Sequence, residues 1–339
     1  MTQQKEENVF RALLRLLKRW QVFLHGDGDN SAMKKVWWML TDTHKKRLKD
    51  KMLHPSNVNC VAFSRDGTRL ITGCDDAKTR IWSMKTGKVL MTLGLHSRGV
   101  ECVSVAPNNS FFVTSADDHT MRMWSMETGR CIKKFEHKER VKCLKVSPDS
   151  KYIMAGYNDS LVRIWSILRG IVTCVLEGLA NSITSVAISS DATFAVATSH
   201  SLPVDHQYVG ETAVIFSMET GKVIRTLGTN NMAWECMIVS PDNKFVVTGY
   251  RWGYKGKVFI WSVGTGDLVK CYENIEVVSL AYSSDGKILA MVDNSNVIRL
   301  VSSQTGSFIK IRGIQHRRSY PHIEDIAFSP NKYALACAG

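Results

Sequence analysis

The stretch that decides the fold is TRIWSMKTGKV at residues 79–89, because it returns along the chain in five variant copies. These are MRMWSMETGRC at 121–131, VRIWSILRGIV at 162–172, AVIFSMETGKV at 213–223, VFIWSVGTGDL at 258–268 and IRLVSSQTGSF at 298–308. Every copy has an apolar run, a turn at Thr-Gly or its equivalent, and a second apolar run. Such a phrase predicts two strands joined by a tight turn.

A second repeated phrase precedes the first and is rich in turn-forming residues. Its seven copies are SRDG at 64–67, APNN at 106–109, SPDS at 147–150, SSDA at 189–192, SPDN at 240–243, SSDG at 283–286 and SPNK at 329–332. Apolar runs such as VNCVAF at 58–63 and RLITG at 69–73 flank each turn, as in a hairpin. The two phrases together predict a repeating unit of four short strands in about 42 residues.

These repeats resemble the WD-repeat (WD40) family over residues 33–339. The chain departs from the family pattern because Ser, not Asp, follows each repeat Trp, and because the Gly of Gly-His is missing. It also resembles the propellers of NACHT-type and apoptosome-type signalling proteins. The resemblance implies an all-β fold: a seven-bladed β-propeller of four-stranded antiparallel blades. An N-terminal amphipathic α-helix is predicted separately, from the helical spacing of apolar residues over 5–24.

We expect two parts in the chain. Residues 1–30 are predicted to be a basic amphipathic helix with a linker, and residues 31–339 a propeller. Only seven residues follow the last turn phrase, so blade seven is predicted to be shared between 33–53 and 323–339. The alternative is that the sequence is a piece of a longer protein. The helix has three alternative roles: packing on the propeller, binding a partner, or lying on an anionic membrane.

The resemblance also implies a hydrogen-bonded set inside each blade, which joins a His, a hydroxyl, an Asp and the Trp. The residues that match are His54, Thr72, Asp76 and Trp82 in the first copy, His96, Thr114, Asp118 and Trp124 in the second, and His137, Asp159 and Trp165 in the third. Because the same His–Asp pair recurs at one blade position, we interpret it as structural. We therefore expect no catalytic residues, no metal ion, no cofactor and no enzymatic activity.

Charge and cysteine content narrow the class of protein. Of the formal net charge of +13, the first 54 residues hold twelve Lys and Arg against six Asp and Glu. This charge favours anionic partners, so nucleic acid and anionic membranes are alternatives to a protein partner.

No apolar stretch is long enough for a transmembrane helix. The nine cysteines lack any Cys-x-x-Cys pair, which indicates reduced thiols and a cytoplasmic or nuclear location.

Two neighbouring repeats carry long insertions, SHSLPVDHQYVGE at 199–211 and GYRWGYKGK at 249–257. Insertions on one face of a repeat array often form the binding face, and Tyr, Trp and Arg are common in interface hot spots. The predicted partner-binding residues are Tyr208, Tyr250, Arg251, Trp252, Tyr254 and Lys255. In the alternative reading, Trp252 only covers the neighbouring loop.

By resemblance we expect a monomeric scaffold for protein–protein interactions. The alternatives are a sensor or autoinhibitory propeller of a larger signalling NTPase, and a propeller that binds nucleic acid or anionic lipid.

Overall fold

A computed structural model describes most of the repeat region as strands joined by turns. The described residues are 34–39, 52–179, 181–199, 202–204, 207–209, 213–228, 234–252, 255–313, 323–330 and 335–338. They contain thirty strands and no helix. The predicted N-terminal helix and linker, residues 1–30, lie outside the described residues.

Two short strands, β1 (Lys34–Met39) and β2 (Met52–His54), precede the blades. The first three blades are formed by β3 (Val58–Phe63), β4 (Arg69–Cys74), β5 (Thr79–Ser83) and β6 (Val89–Leu93); by β7 (Val100–Val105), β8 (Phe111–Ala116), β9 (Thr120–Ser125) and β10 (Cys131–Glu136); and by β11 (Val141–Val146), β12 (Tyr152–Tyr157), β13 (Val162–Ser166) and β14 (Val172–Leu176).

The later blades carry the insertions. Blade 4 comprises β15 (Ile183–Ile188), β16 (Phe194–Ser199), the inserted hairpin β17 (Leu202–Val204) and β18 (Gln207–Val209), then β19 (Ala213–Ser217) and β20 (Val223–Leu227). Blade 5 comprises β21 (Trp234–Val239), β22 (Phe245–Trp252), β23 (Lys255–Ser262) and β24 (Leu268–Glu273). Blade 6 comprises β25 (Val277–Tyr282), β26 (Ile288–Asp293), β27 (Val297–Ser302) and β28 (Phe308–Gly313), and the chain ends in β29 (Asp325–Phe328) and β30 (Leu335–Ala338).

The repeated turn phrase forms a tight hairpin turn, which is stabilised by hydrogen bonds of its side chains with each other and with the backbone. In blade 5 the Ser240 hydroxyl donates to the Asp242 carboxylate at 2.6 Å and accepts from the Phe245 N–H at 2.9 Å. The fourth residue of the turn has a positive φ, 61° at Asn243 and 67° at Gly67. Asn and Gly adopt this left-handed conformation most readily, which explains their frequency at this position.

The core consists of layers between neighbouring sheets rather than one central cluster. The seven apolar clusters of the described residues each join two adjacent sheets. Between blades 1 and 2, for example, Ile71 and Ile81 pack with Phe112 and Trp124. Each sheet therefore buries its apolar faces only when a neighbour covers them.

The predicted fold class needs correction in its blade count. Six blades, not seven, are built from consecutive strands of the described chain, each with its strands in sequence order. The four strands left over form a closing sheet in the order β2-β1-β30-β29, in which Trp38 pairs with Ala336. Unlike the six blades, this sheet is not one continuous unit, because its strands, of three to six residues, come from distant parts of the chain. The helix is not among the described residues.

The innermost strands form a ring in which β29 lies between β25 and β3. Asp325 links β29 to both neighbours: its carboxylate accepts from the Val61 N–H at 3.0 Å and from the Ser279 hydroxyl at 3.0 Å. Burial raises the pKa of the Asp325 carboxyl, although these donors favour its charged form. Asp325 lies at the repeat position that Cys60 occupies in blade 1. At this position the closing sheet has a carboxylate that is hydrogen-bonded to both neighbouring strands, whereas the other blades have a small side chain.

Replacing Asp325 with Ala should lower the free energy of unfolding by about 1–3 kcal/mol, because the Val61 amide and the Ser279 hydroxyl lose their acceptor. Chemical denaturation monitored by tryptophan fluorescence measures this change. The control is Asp267→Ala, at an exposed turn, which should leave the midpoint unchanged. Equal midpoints for the two variants would show that Asp325 does not hold the ring closed.

Candidate functional site

One face of the propeller is built from the turns between the second and third strands of the blades together with the connections that enter each blade; we call it the loop face. A repeated backbone hydrogen bond joins the two kinds of segment. The amide of Asp75 donates to the Asn57 carbonyl at 3.0 Å, and that of Asp117 donates to the Gly99 carbonyl at 3.1 Å. These bonds hold the turns of the loop face at fixed positions above the sheets.

Both insertions extend the loop face at blades 4 and 5. In blade 4 the inserted β17 and β18 pair with each other, and Tyr208 is opposite Pro203. In blade 5 the second and third strands are both eight residues long, which carries the hairpin beyond the six-residue strands of other blades. At the tip of this hairpin Trp252 pairs with Lys255. The pair below it is Arg251 with Gly256.

The structure therefore places three predicted partner-binding residues, Arg251, Trp252 and Lys255, at the tip of one hairpin. Tyr208 belongs to the separate two-stranded sheet of blade 4, and Tyr254 lies outside the described residues. Tyr250 is at the base of the hairpin and half-buried, with its ring edge-on to Trp234 at 6.4 Å between centroids. Tyr250 therefore contributes to the core beneath the hairpin.

The β22–β23 hairpin is fixed against the connection between blades 5 and 6 at Gly256, one residue pair below its tip. The Gly256 carbonyl accepts from the Ile275 N–H at 3.0 Å. A Cβ at Gly256 would lie 2.3 Å from the Cα of Glu276 and 2.3 Å from the Ile275 carbonyl oxygen. Only glycine permits this approach. Sequence reasoning missed this role, although a Gly inside an inserted strand is a signal of close backbone packing.

The hydrogen-bonded set predicted for the blades is assembled around a buried Thr in blades 1 and 2. In blade 2 the Trp124 indole N–H donates to the Thr114 hydroxyl at 2.8 Å, and His96 Nε2 is 2.8 Å from the same oxygen. His96 Nδ1 lies 2.9 Å from the Asp118 carboxylate. Blade 1 repeats the two bonds to the hydroxyl, with Thr72 contacted by Trp82 at 3.0 Å and by His54 at 2.8 Å.

The Asp member of the set has another partner in two blades. Asp76 accepts from the Arg80 guanidinium at 3.2 Å, and Asp159 accepts from Arg163 at 3.0 Å. Burial opposes ionisation of Asp76, but the hydrogen bonds from Arg80 hold the pKa of its carboxyl below the usual value. In both blades the Asp therefore forms an ion pair with the Arg four residues after it. The family resemblance implied a His as the partner of this Asp and did not indicate the Arg.

Blade 3 rebuilds the set with a different hydroxyl. Ala155 occupies the buried position of the Thr, and the Trp165 indole N–H donates instead to the Tyr157 hydroxyl at 2.9 Å. His137 Nδ1 donates to the Glu139 carbonyl at 2.6 Å, and its ring stands edge-on to Tyr157. Tyr157 is thus a residue of the set that the sequence pattern did not reveal.

The loop face near blades 2 and 3 carries a mixed charge cluster. Arg140 lies 3.2 Å from the Glu101 carboxylate and also pairs with Asp117. Burial and the neighbouring Asp117 raise the pKa of Glu101 above its usual value. Among the described residues, no group of three or more His, Cys, Asp or Glu is placed to hold a metal ion, and no helix there is long and apolar enough to span a membrane.

Comparison with known proteins agrees with the repeat architecture. Residues 91–337 match the family model described as NWD2 C-terminal beta-propeller, and residues 47–83 match the WD domain, G-beta repeat. A relative, WD repeat-containing protein SL1-17 of Schistosoma mansoni, is 26% identical over 162 residues, which is 48% of this chain and 49% of that protein. The chain thus spans about half the length of this curated relative. These matches confirm the prediction of a WD-repeat propeller.

Replacing Thr114 with Val should lower the free energy of unfolding by about 1–3 kcal/mol, because the shape is kept while the Trp124 indole and His96 lose their partner. Urea unfolding measures the change. The matched control is Thr92→Val, on an exposed strand position, which should change the free energy little. A Thr114→Val midpoint equal to the control would contradict a stabilising role for the set.

Acidification should destabilise the propeller through its buried histidines. Burial lowers the pKa of His96 and of His137 below the usual 6.5, so the unfolded chain binds protons more readily than the folded one. The stability contribution is complete above pH 6.5 and is lost as the pH falls through that value towards the folded pKa values. His96→Gln should reduce the loss of unfolding free energy between about pH 7.5 and about pH 5.5; an unchanged pH profile would exclude His96 as its source.

Proposed function

The chain belongs to the NWD2 C-terminal beta-propeller family, and we propose that it is a non-catalytic scaffold that binds other proteins through the loop face at blades 4 and 5. The WD-repeat fold supports a protein-interaction role of this general kind. The proposal adds the location of the binding surface. Fold alone does not assign a function, so the argument rests on the inserted hairpins.

The observation that carries the proposal is the anchored β22–β23 hairpin. It is held by the Gly256–Ile275 hydrogen bond, one residue pair below the tip, and by packing of Tyr250 on Trp234, two pairs below the tip. Its tip places Trp252 beside Lys255 and one position after Arg251. Trp and Arg are the residue types that most often dominate binding energy, and a fixed base lowers the entropy lost when a partner binds.

The proposed contact residues are five of the six from the sequence analysis, in two groups. Arg251, Trp252 and Lys255, with Tyr254 between them in sequence, form the primary contact. Tyr208 on the β18 strand of the neighbouring insertion extends the surface to blade 4. We propose that Tyr250 has a supporting role, because its ring packs on buried Trp234.

A second candidate function is a sensor or autoinhibitory propeller within a larger signalling NTPase. The matched family is described as a C-terminal propeller of NWD2, which supports this reading. In that case the loop face would bind another part of the same assembly. Binding of nucleic acid or anionic lipid is the less favoured alternative. The proposed location is the cytoplasm, with the nucleus as the alternative, and the proposed state is a monomer.

Affinity purification with quantitative mass spectrometry tests the binding surface. Trp252→Ala and Arg251→Ala should each reduce recovery of the specific partner proteins about tenfold or more, because a truncated hot spot loses its buried contact. The control is Lys244→Ala in the exposed turn at the other end of blade 5, which should recover partners as the wild type does.

Thermal melting of the same variants separates binding from folding. We expect wild-type melting temperatures for both tip variants. A lowered melting temperature with unchanged partner recovery would contradict the proposal and favour a purely structural role for Trp252. Retention on heparin or RNA that falls with salt, without loss of binding in the tip variants, would favour the nucleic-acid alternative.

A further inference from the structure

The outer edge of blade 3 has an exposed apolar surface that extends into the turn before its last strand. Its last strand, β14, has the sequence VTCVL and contains no charged residue. Leu168 in the preceding turn is 88% exposed, Ile171 is 53% exposed and Val175 is 42% exposed. These side chains form an apolar strip from the turn along the strand, which we call the blade 3 edge.

Other blades protect the same edge with charges. The outermost strand of blade 2 carries Lys133, Lys134 and Glu136, and that of blade 5 carries Lys270 and Glu273. The outermost strand of blade 1 is uncharged, but its turn carries Lys85 and Lys88. Charged residues on edge strands prevent unwanted strand pairing. Among blades 1–6, the blade 3 edge alone combines an uncharged last strand with a strongly exposed apolar side chain, Leu168, in the preceding turn; Arg169 is the one charged residue of that turn.

The backbone of β14 is open to a further strand. In the described chain β14 is the terminal strand of its sheet and pairs only with β13. An extended segment can add to such an edge through main-chain hydrogen bonds, while alternate side chains contact the exposed apolar positions.

Two cations lie at the turn end of the blade 3 edge. The Lys133 ammonium group donates to the Ile167 carbonyl at 2.9 Å and to the Leu168 carbonyl at 2.8 Å, which uses two of its three hydrogens and leaves its positive charge in place. Arg169 is exposed in the same turn. Among the ion pairs of the described residues, none involves Lys133 or Arg169. At the opposite end of the strand Glu177 follows β14, and Asp159 is paired with Arg163. The surface is therefore apolar and positively charged at one end.

We propose that the blade 3 edge is a docking site for an extended segment of another protein, in which apolar residues alternate with acidic ones. The segment adds a strand beside β14. Its apolar side chains cover Ile171 and Val175, and its carboxylates lie near Lys133 and Arg169. This site is distinct from the loop face and does not depend on the proposed function of that face.

Fluorescence anisotropy with labelled nine-residue peptides tests the proposal on the full chain. The probe alternates Val and Glu, one comparison peptide alternates Val and Lys, and another has a central Pro that prevents strand pairing. The Val/Glu probe should bind saturably, and the other two should bind at least tenfold more weakly. No saturable binding of the Val/Glu probe, or equal binding of the three peptides, would overturn the proposal.

Leu168→Glu should weaken binding of the Val/Glu probe at least tenfold, because it places a negative charge where the carboxylates of the segment lie. The matched control is Ile224→Glu, on the exposed outer strand of blade 4, which should bind the probe as the wild type does. Circular dichroism checks that both variants fold. Equal binding by both would overturn the proposal.

Light scattering after size-exclusion chromatography examines self-association. The wild type should remain monomeric across concentrations. A dimer that Leu168→Glu abolishes would identify a second copy as the occupant of the edge and overturn the assignment to another protein.

Discussion

Packing between neighbouring sheets is the interaction on which the rest of this structure depends. A four-stranded sheet has two apolar faces and cannot cover either by itself. Every apolar cluster of the described residues spans two sheets, including those between the closing sheet and blades 6 and 1. The hydrophobic effect therefore favours a ring, in which every sheet has a neighbour on each side. Asp325 adds hydrogen bonds to this packing, because its carboxylate joins β29 to β3 and to β25.

The buried hydrogen bonds of the blades follow from the same constraint. Trp82, Trp124 and Trp165 carry an indole N–H into an apolar layer, where an unpaired donor is costly. Thr72 and Thr114 accept these bonds in blades 1 and 2, and Trp261 donates to Thr248 at 2.9 Å in blade 5. Tyr157 takes this role in blade 3. The acceptor changes with the blade, and each of these four repeat Trp side chains has one.

Much of the fold was predictable from the sequence because the residue types of each repeated phrase favour one local conformation, a strand or a tight turn. Turn residues such as Gly67 and Asn243 mark positive φ, and the repeat Trp marks a buried strand. The predicted count of seven blades was wrong, because the seventh turn phrase at 329–332 is followed in the described chain by β30 alone, and strands β1 and β2 from a distant part of the chain complete the sheet. The predicted role of Asp76 and Asp159 overlooked Arg80 and Arg163, whose ion pairs depend on side-chain direction.

The candidate sites were less predictable, because they depend on contacts between distant residues. Inserted loops at 199–211 and 249–257 indicated which blades carry the face. Gly256 becomes important only through its approach to Glu276, and Leu168 only through comparison with the turns of other blades. A repeat pattern specifies positions within a unit, whereas contacts between units specify which positions are exposed or fixed.

The central claim is that a cooperative ring holds the β22–β23 hairpin rigidly. Native-state hydrogen–deuterium exchange of the full chain tests it most directly, at the Ile275 amide and at the amides of β22 and β23. We predict that the Ile275 amide, which donates to Gly256, exchanges as slowly as the inner strands of the blades, with protection close to that of global unfolding. Fast exchange at Ile275 and in the hairpin, with slow exchange in the inner strands, would contradict the claim.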